Sequence, residues 1–422
     1  MRNAKLTRLL LSLLLLLVAT ALFAAPPADS VILFIGDGMG ANHIAVAQRF
    51  YGRNFAMARL GYKGVATTLN AQGGLTDSAA ASTALATGFK TDNGKLCLAP
   101  DGRPLESILE RCQQIGKSTG VVTTDQLTGA TPAGFVVQVA SRRSTAEIAD
   151  QMLGSGTQVM LGGGAEADYG EQLETLRQAG YGVVSNRDEL LSDTQPKLLG
   201  LFGKVEMPAL SEMTQAAINR LAANPKGFFL VVEQAKMDWD HNLPKTILND
   251  MRELDGAVAV ALNYARTHPR MLVIVTGDHE TGGLSIRNPY KISYLRLVRA
   301  PEATIAARLN ASRTNVAQVM ASLAGMRSMT RQEISQIQQA SDPAIAIGNV
   351  LSARAGLAWT SNGQHTTTPV RILATGAGAM AFASRMDNTD IPKRIATTLG
   401  ITTSPASVTV TESGELAWEF AQ

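Results

Sequence analysis

Cysteine is scarce in this sequence: only Cys97 and Cys112 occur among 422 residues. Two cysteines exclude a disulfide-stapled scaffold, and the lack of a CxxC pair excludes a cysteine-bound metal of the usual kind. The two thiols are either paired, which an oxidising compartment allows, or free and buried. Neither is marked as a catalytic nucleophile.

Charge is also scarce. Charged residues make up 17% of the chain, below the ~25% usual in globular proteins. The formal net charge is +3, and Arg2, Lys5 and Arg8 account for that excess of basic residues. Because the remainder is neutral, we expect no nucleic-acid partner held by bulk charge.

The first 25 residues have the pattern of a secretory signal peptide. A basic start precedes an apolar run and then the small residues Ala24 and Ala25. The alternative is a membrane anchor, but the run is short for a span of about 20 residues. We therefore expect a periplasmic or secreted protein without a stable membrane anchor.

The rest of the chain alternates apolar strands with helical patterns. No internal repeat, low-complexity tract or Pro/Gly/Ser-rich linker divides it, so one large domain is expected over residues 26–422. The alternation predicts an α/β fold, a three-layer α/β/α sandwich with a large, mostly parallel central sheet. Strands are predicted at 31–35, 119–123, 158–161, 228–232, 271–275 and 371–374. Helices are predicted at 105–115, 133–141, 145–153, 212–222 and 246–265.

Two segments depart from this alternation. Residues 289–357 have helical patterns and no clear strands, which predicts a helical insertion near the site. Residues 404–420 alternate enough to suggest a terminal hairpin.

Acids and histidines stand at the boundaries of four predicted strands. Ligands of open α/β sheets gather at the carboxyl ends of strands, and several carboxylates brought to one edge would repel unless cations lay between them. Imidazole with carboxylate and no thiolate suits a catalytic zinc site. The residues in question are Asp37, Glu233, Asp238, His241, Asp278, His279 and His365. The remaining histidines, His43 and His268, are interpreted as structural.

Ser78 is the candidate nucleophile. It begins a run of small residues, TDSAAASTALATG at 76–88, and would lie in the first turn of a helix, where free N–H groups and the helix dipole favour an anion. The alternative is an ordinary helix cap at Asp77 or Ser78. A lone serine needs a base or a metal to activate it, which connects Ser78 to the predicted metal cluster.

Arg142 follows a segment that the sequence predicts to be helical. Its planar guanidinium could bind two phosphate oxygens at once. By itself, an arginine at such a position is more often a solvated surface charge.

Together these motifs resemble the alkaline phosphatases, the metal-dependent phosphomonoesterases. The matching segments occur in the family's order and span residues 31 to 370. They are GDGMG at 36–40, TDSAAASTALATG at 76–88, KTDNG at 90–94, ATPA at 130–133, Ser141 with Arg142, Glu233 with Asp238, TGDHETGG at 276–283 and GQHT at 363–366.

The resemblance implies a role for each matching position. Ser78 would attack phosphorus and carry the phosphoryl group, and Arg142 would clamp the phosphate. One zinc ion would be held by Asp37, Asp278 and His279, and a second by Asp238, His241 and His365. A magnesium ion would be held by Asp37, Thr131 and Glu233. The family also commonly forms homodimers, although this sequence shows no interface.

The chain departs from the family's usual pattern in two places. Asp238 and His241 are separated by two residues instead of three, so Asp240 or Asn242 could take over the ligand role. Gly129 stands where well-known members carry Asp or His, and Trp239 where they often carry Lys or His. Such groups tune a metal through its outer shell, so a weaker third metal site and an altered metal preference are expected.

The leading hypothesis is an exported phosphomonoesterase that hydrolyses small phosphate esters through a phosphoserine intermediate, with two zinc ions. A phosphodiesterase of the same superfamily is the second enzyme hypothesis. A non-catalytic metal- or phosphate-binding protein is the third, because of the irregular spacing between Asp238 and His241.

Overall fold

The structure is a computed structural model that describes residues 28–165, 169–170, 172–205, 207–361, 363–401, 407–410 and 416–419. The predicted signal peptide, residues 1–25, lies outside the described residues. Among the helices that are described, none is both long enough and apolar enough to cross a membrane.

Sixteen strands are described, and they are numbered here in chain order. They are β1 Ser30–Gly36, β2 Tyr62–Thr67, β3 Ser118–Gln126, β4 Val159–Gly163, β5 Tyr181–Val184, β6 Lys197–Phe202, β7 Phe228–Gln234, β8 Met271–Gly277, β9 Glu280–Thr281, β10 Ser285–Ile286, β11 Leu357–Ala358, β12 His365–Thr366, β13 Val370–Gly376, β14 Arg385–Asp387, β15 Ser407–Val410 and β16 Leu416–Glu419.

The described helices are numbered in the same way. They are α1 Ala41–Tyr51, α2 Ser78–Thr87, α3 Ile108–Gln114, α4 Ala130–Ala133, α5 Thr145–Gly154, α6 Gln172–Gln178, α7 Arg187–Ser192, α8 Leu210–Leu221, α9 Lys236–Trp239, α10 Pro244–Ala265, α11 Glu302–Ala306, α12 Val316–Leu323, α13 Arg331–Gln339, α14 Pro343–Arg354 and α15 Asp390–Thr398. Short 3₁₀ segments lie at Gly52–Asn54, Ala56–Arg59, Pro289–Leu297 and Ala379–Phe382.

A ten-stranded sheet forms the centre of the molecule, in the order β14-β2-β13-β8-β1-β7-β3-β4-β6-β5. Strands β8, β1, β7, β3, β4, β6 and β5 run parallel to one another, whereas β13 is antiparallel to both β8 and β2. This confirms the predicted α/β fold with a large, mostly parallel sheet.

Both faces of the sheet are buried. Along β1, Ile32 and Phe34 belong to one hydrophobic cluster, while Val31, Leu33 and Ile35 belong to another. Successive side chains of a strand point to opposite faces, so the two clusters are the cores on the two sides of the sheet. A strand covered on both sides has no reason to alternate in polarity, which explains why β1 has a continuous apolar sequence.

One predicted helix, at residues 133–141, is wrong. Helix α4 ends at Ala133, and an irregular segment follows in which Val139 pairs with Leu96. Phe135, Val136 and Val137 are all buried, so three consecutive side chains enter the core. An amphipathic helix would turn at least one of three consecutive side chains toward its solvent-exposed face.

Two segments depart from the alternation of strands and helices. Between β10 and β11 the chain forms the 3₁₀ segment and helices α11 to α14. Strands β15 and β16 pair antiparallel, as the predicted terminal hairpin requires.

Cys97 and Cys112 are both buried and free, so the structure favours free thiols over a disulfide.

Candidate active site

The central strands of the sheet bring three acids to one edge. Strand β1 lies between β7 and β8, and Ile35 is in register with Glu233 on one side and with Thr276 on the other. Asp37 and Asp278 follow directly after β1 and β8. The carboxyl ends of parallel strands meet at the same edge, so these three carboxylates gather there, as the sequence predicted.

A backbone turn after β1 depends on glycine. Gly38 has φ +72°, and a Cβ on it would lie 2.9 Å from the Cα of Asp238. Its N–H donates to Oδ1 of Asp278 at 3.0 Å. The absence of a side chain therefore allows the segment containing Asp238 to approach the ends of β1 and β8.

His365 reaches the site through a two-residue ladder. Strand β12 pairs antiparallel with β9, which places His365 opposite Thr281. The rings of His365 and His279 stack with their centroids 3.5 Å apart. Nδ1 of His365 lies 2.7 Å from the carbonyl oxygen of Thr76, so Nε2 is the nitrogen left for a cation.

Two groups of side chains could each hold a metal ion. The first is Asp37, Asp278 and His279; the second is Asp238, His279 and His365. Within each group the candidate ligand atoms lie within 4.8 Å of one another. Buried Oδ1 of Asp37 and Oδ2 of Asp278 have no hydrogen-bond partner. Buried carboxylate oxygens without partners are costly, and a divalent cation is the partner that this donor set fits.

Glu233 and Thr131 form a third group beside Asp37. Thr123 donates its hydroxyl to Oε2 of Glu233. The Thr131 hydroxyl lies close enough to lower the pKa of Glu233, yet it forms no hydrogen bond of regular geometry. Both side chains are almost completely buried, so a hard cation would also satisfy this pair.

The charges of the site perturb one another strongly. Burial, followed by the charges of Asp278 and Asp238, raises the pKa of Asp37 well above its usual range. Burial lowers the pKa of His279, so its ring is neutral, as a metal ligand must be.

Asp238 and His365 form the opposite case. Burial would disfavour both charged forms, but the contact between Oδ1 of Asp238 and Nε2 of His365, 3.4 Å apart, outweighs it. The pKa of Asp238 falls to about 2 and that of His365 rises to about 9. The pair therefore persists as an ion pair near neutral pH until a cation replaces the proton.

Ser78 begins helix α2, and its Oγ lies 3.4 Å from Nε2 of His279. The preceding residue, Asp77, is the cap: its Oδ1 accepts the N–H of Ala80 at 2.9 Å. Since Asp77 does the capping, the Ser78 hydroxyl remains directed to the metal-ligand cluster. The structure thus assigns the helix cap to Asp77, a choice that the sequence left open, and Ser78 stays the candidate nucleophile.

Arg142 is held over the same helix tip. Its Nη1 lies 3.2 Å from Oδ2 of Asp77, and its N–H donates to the carbonyl of Gly94 at 2.8 Å. The positive charge of Arg142 lowers the pKa of Asp37, which places the guanidinium within electrostatic reach of the acids. It lies in a loop, not at the end of a helix as the sequence suggested.

His241 lies outside both donor groups. Its Nδ1 is 3.2 Å from the carbonyl oxygen of Asp238, and a Cβ on Gly363 would lie 2.2 Å from its Cε1. The two alternative ligands are also engaged elsewhere. Asp240 shares a hydrogen bond with Asp250, and Asn242 donates to Oδ1 of Asn349 at 3.2 Å.

Sequence reasoning missed the side chains that support the ligands. Thr281 donates to Oδ1 of Asp238 at 2.5 Å and lies 3.3 Å from Nδ1 of His279. Asp77 positions Arg142, and Thr123 holds Glu233. Of these supporting side chains, Thr281 was the easiest to predict, because it lies within the TGDHETGG motif at 276–283.

Comparison with known proteins finds relatives of this chain. A sequence model described as alkaline phosphatase matches residues 28–401. Alkaline phosphatase 3 of Bacillus subtilis is 30% identical over 413 residues, covering 87% of this chain and 88% of the relative. The cold-active alkaline phosphatase of a psychrophilic Shewanella sp. has a TM-score of 0.77 at 31% identity, covering 88% of this chain and 99% of the other. A variant alkaline phosphatase of the Antarctic bacterium TAB5, described with Mg bound in its M3 site, has a TM-score of 0.68 at 25% identity, covering 90% and 100%.

Proposed function

The chain belongs to the alkaline phosphatase family and is an enzyme of that kind, and from this premise we propose that it hydrolyses small phosphate monoesters through a phosphorylated Ser78. The proposal rests above all on one observation: the Ser78 hydroxyl lies at a helix tip, 3.4 Å from Nε2 of His279, an imidazole shared by both donor groups.

The family is metal-dependent, and we propose zinc for the two donor groups. Asp37, Asp278 and His279 would hold one ion; Asp238 and His365, with His279 or His241 beside them, would hold the other. His241 stays a predicted ligand, and its ring, which lies against Gly363, would have to turn toward Asp238 and His365. Magnesium is proposed for Glu233, Thr131 and Asp37, in line with the magnesium of the TAB5 variant.

Divalent cations held there supply Lewis acidity that makes a serine hydroxyl a competent nucleophile and offsets charge on the oxygen that leaves. The protein's own groups do the positioning. Ser78 Oγ attacks phosphorus and the ester oxygen departs on the opposite side, so that a water can later release phosphate from the serine. The free N–H groups at the start of α2 and the Arg142 guanidinium face the phosphoryl oxygens.

Arg142 does not separate a monoester from a diester, because a guanidinium that binds two unesterified oxygens of one phosphate fits both. The family to which the chain belongs favours a monoester. The phosphodiesterase alternative is therefore less well supported, and a non-catalytic binder would leave the approach of Ser78 to His279 without purpose.

Export belongs to this proposal as well. Residues 1–25 have the sequence of a signal peptide, and we propose that the enzyme acts in the periplasm or outside the cell.

Hydrolysis of mono- and bis-nitrophenyl phosphate, measured with chelator and after zinc add-back, tests the function. We expect monoester hydrolysis that the chelator abolishes and zinc restores. Ser78→Ala should remove that activity but still bind metal. Ser293→Ala, a change at an exposed serine far along the chain, should keep both activity and metal. Preferential cleavage of the diester, or full activity in Ser78→Ala, would refute the proposal.

A further inference from the structure

The space beside Gly129 is filled by another residue's carboxylate. Related enzymes carry Asp or His at this position, and the glycine here predicted a weaker third metal site. A Cβ built on Gly129 would lie 2.6 Å from Oδ2 of Asp125 and 2.8 Å from the carbonyl oxygen of Gln126. A side chain at position 129 and the Asp125 carboxylate therefore cannot occupy this space together.

The end of strand β3 directs Asp125 to this place. The pairing of β3 with β4 slips between Val122 and Gln126, and such an irregularity re-aims side chains next to active sites. The N–H of Asp125 donates to Oγ1 of Thr123 at 2.9 Å. That same hydroxyl donates to Glu233, so one threonine ties the Asp125 backbone to the proposed magnesium ligand.

The charge of Asp125 acts on the same group. The Asp125 side chain lies close enough to Glu233 for the two carboxyl groups to interact electrostatically. The positive charges of Arg142 and Lys204 lie near enough to lower the pKa of Asp125, which burial raises. Asp125 therefore adds negative charge near the proposed magnesium ligand Glu233, and a divalent cation neutralises such charge.

We propose that the Asp125 carboxylate replaces, from four residues upstream, the acidic or imidazole side chain that related enzymes carry at position 129, and that it helps to hold magnesium beside Glu233 and Thr131. This inference rests on the proposed function for the identity of the third site. Gly129 alone led to the expectation of a weaker third metal site. On this proposal the site keeps a negatively charged side chain, supplied by Asp125 and not by residue 129.

The test is magnesium affinity, measured by titration calorimetry on the full-length protein after chelator treatment and saturation with zinc. Asp125→Asn should weaken magnesium binding by about 10–100-fold, the usual cost of losing an outer-shell partner, while the zinc content stays the same. Asp188→Asn removes an equal charge from a side chain that is 96% exposed and should leave affinity unchanged. Gly129→Ala keeps the charge but displaces it, and should also weaken binding.

A stability measurement separates this role from a purely structural one. Because Asp125 repels Glu233 when no cation is bound, Asp125→Asn should melt no lower than the parent protein in chelator. A structural role predicts the opposite sign, and a lower melting temperature in chelator would therefore overturn the inference. So would a magnesium affinity equal to that of the parent.

The inference and the proposed function can fail separately. Zinc-dependent ester hydrolysis together with unchanged magnesium binding in Asp125→Asn would leave the function standing and remove the inference. Magnesium binding that depends on Asp125, in a protein that hydrolyses no ester, would do the reverse. A parent protein that binds no magnesium at the third site would also overturn the inference.

Discussion

Replacing Thr281 by valine tests whether the two donor groups depend on one hydroxyl. When Nε2 of His279 binds a cation, its Nδ1 carries the proton and can donate to Oγ1 of Thr281, 3.3 Å away. That hydroxyl in turn donates to Oδ1 of Asp238 at 2.5 Å. Valine keeps the shape of threonine and removes both contacts, so the orientation of a ligand in each group is released.

The magnitude follows from the charge on Asp238. A hydrogen bond to a charged group contributes about 1.5–3 kcal/mol, and each ~1.4 kcal/mol is a factor of ten in affinity. We therefore expect Thr281→Val to bind zinc about 10–100-fold more weakly, which agrees with the cost of removing other partners of metal ligands. The methyl group fills the vacated space, so packing should change little.

Competition between the protein and a coloured chelator measures this affinity. Thr281→Ser keeps the hydroxyl and serves as the matched control, with affinity near that of the parent. The reasoning would be refuted if Thr281→Val bound zinc as tightly as the parent, or if Thr281→Ser lost as much affinity as Thr281→Val.

Three further predictions concern phosphate binding, pH and metal removal. Arg142→Ala should weaken inhibition by inorganic phosphate at least about tenfold, because a charge-assisted contact is lost. Arg143→Ala, a change at the exposed neighbour, should leave this inhibition unchanged. Equal effects of the two changes in steady-state kinetics would contradict a role of Arg142 in phosphate binding. Burial and then Asp240 raise the pKa of Asp250 from 3.8 to about 8. A carboxyl group with a raised pKa binds more protons in the folded state than in the unfolded state. Its ionisation therefore destabilises the fold as pH rises from about 4 through 8. Asp250→Asn should therefore gain about 5 kcal/mol of unfolding free energy over the parent at pH 9 relative to pH 4. Urea unfolding at both pH values checks this, and a difference that does not change with pH would refute it. Chelation should lower the unfolding free energy by about 4 kcal/mol for a cation present at ~1,000 times its dissociation constant, with recovery on zinc add-back; an unchanged melting temperature would show that the buried acids need no cation.

The central strands were predictable because they are buried on both faces. The apolar runs at 31–35, 228–232 and 271–275 fall inside β1, β7 and β8. Strands such as β2, with the sequence YKGVAT and several exposed side chains, have no such run and were not predicted. The helix predicted at 133–141 failed for the related reason that apolar composition alone does not distinguish a helix from an irregular buried segment.

The main candidate ligands were predictable because they stand at strand ends or in short motifs. Their partners were not, because proximity between side chains distant in sequence leaves no local signal. The approach of Asp77 to Arg142 spans 65 residues, and that of Thr281 to Asp238 spans 43. The position of Asp125 beside Gly129 could not be predicted either, because it depends on an irregularity in the pairing of β3 with β4 for which the sequence of β3 gives no signal.

The position of β1 in the sheet has a consequence for biosynthesis. This first strand acquires both of its neighbours only when β7 and β8 emerge, since Val31 pairs with Phe229 and Leu272. At ~5–20 residues per second, the wait for Leu272 is roughly 10–50 s. Nor can the stacked imidazole of His365 arrive before most of the polypeptide has left the ribosome. A nascent chain of this topology therefore lacks its complete set of candidate metal ligands until late in synthesis, and this delay would be compatible with the proposed export.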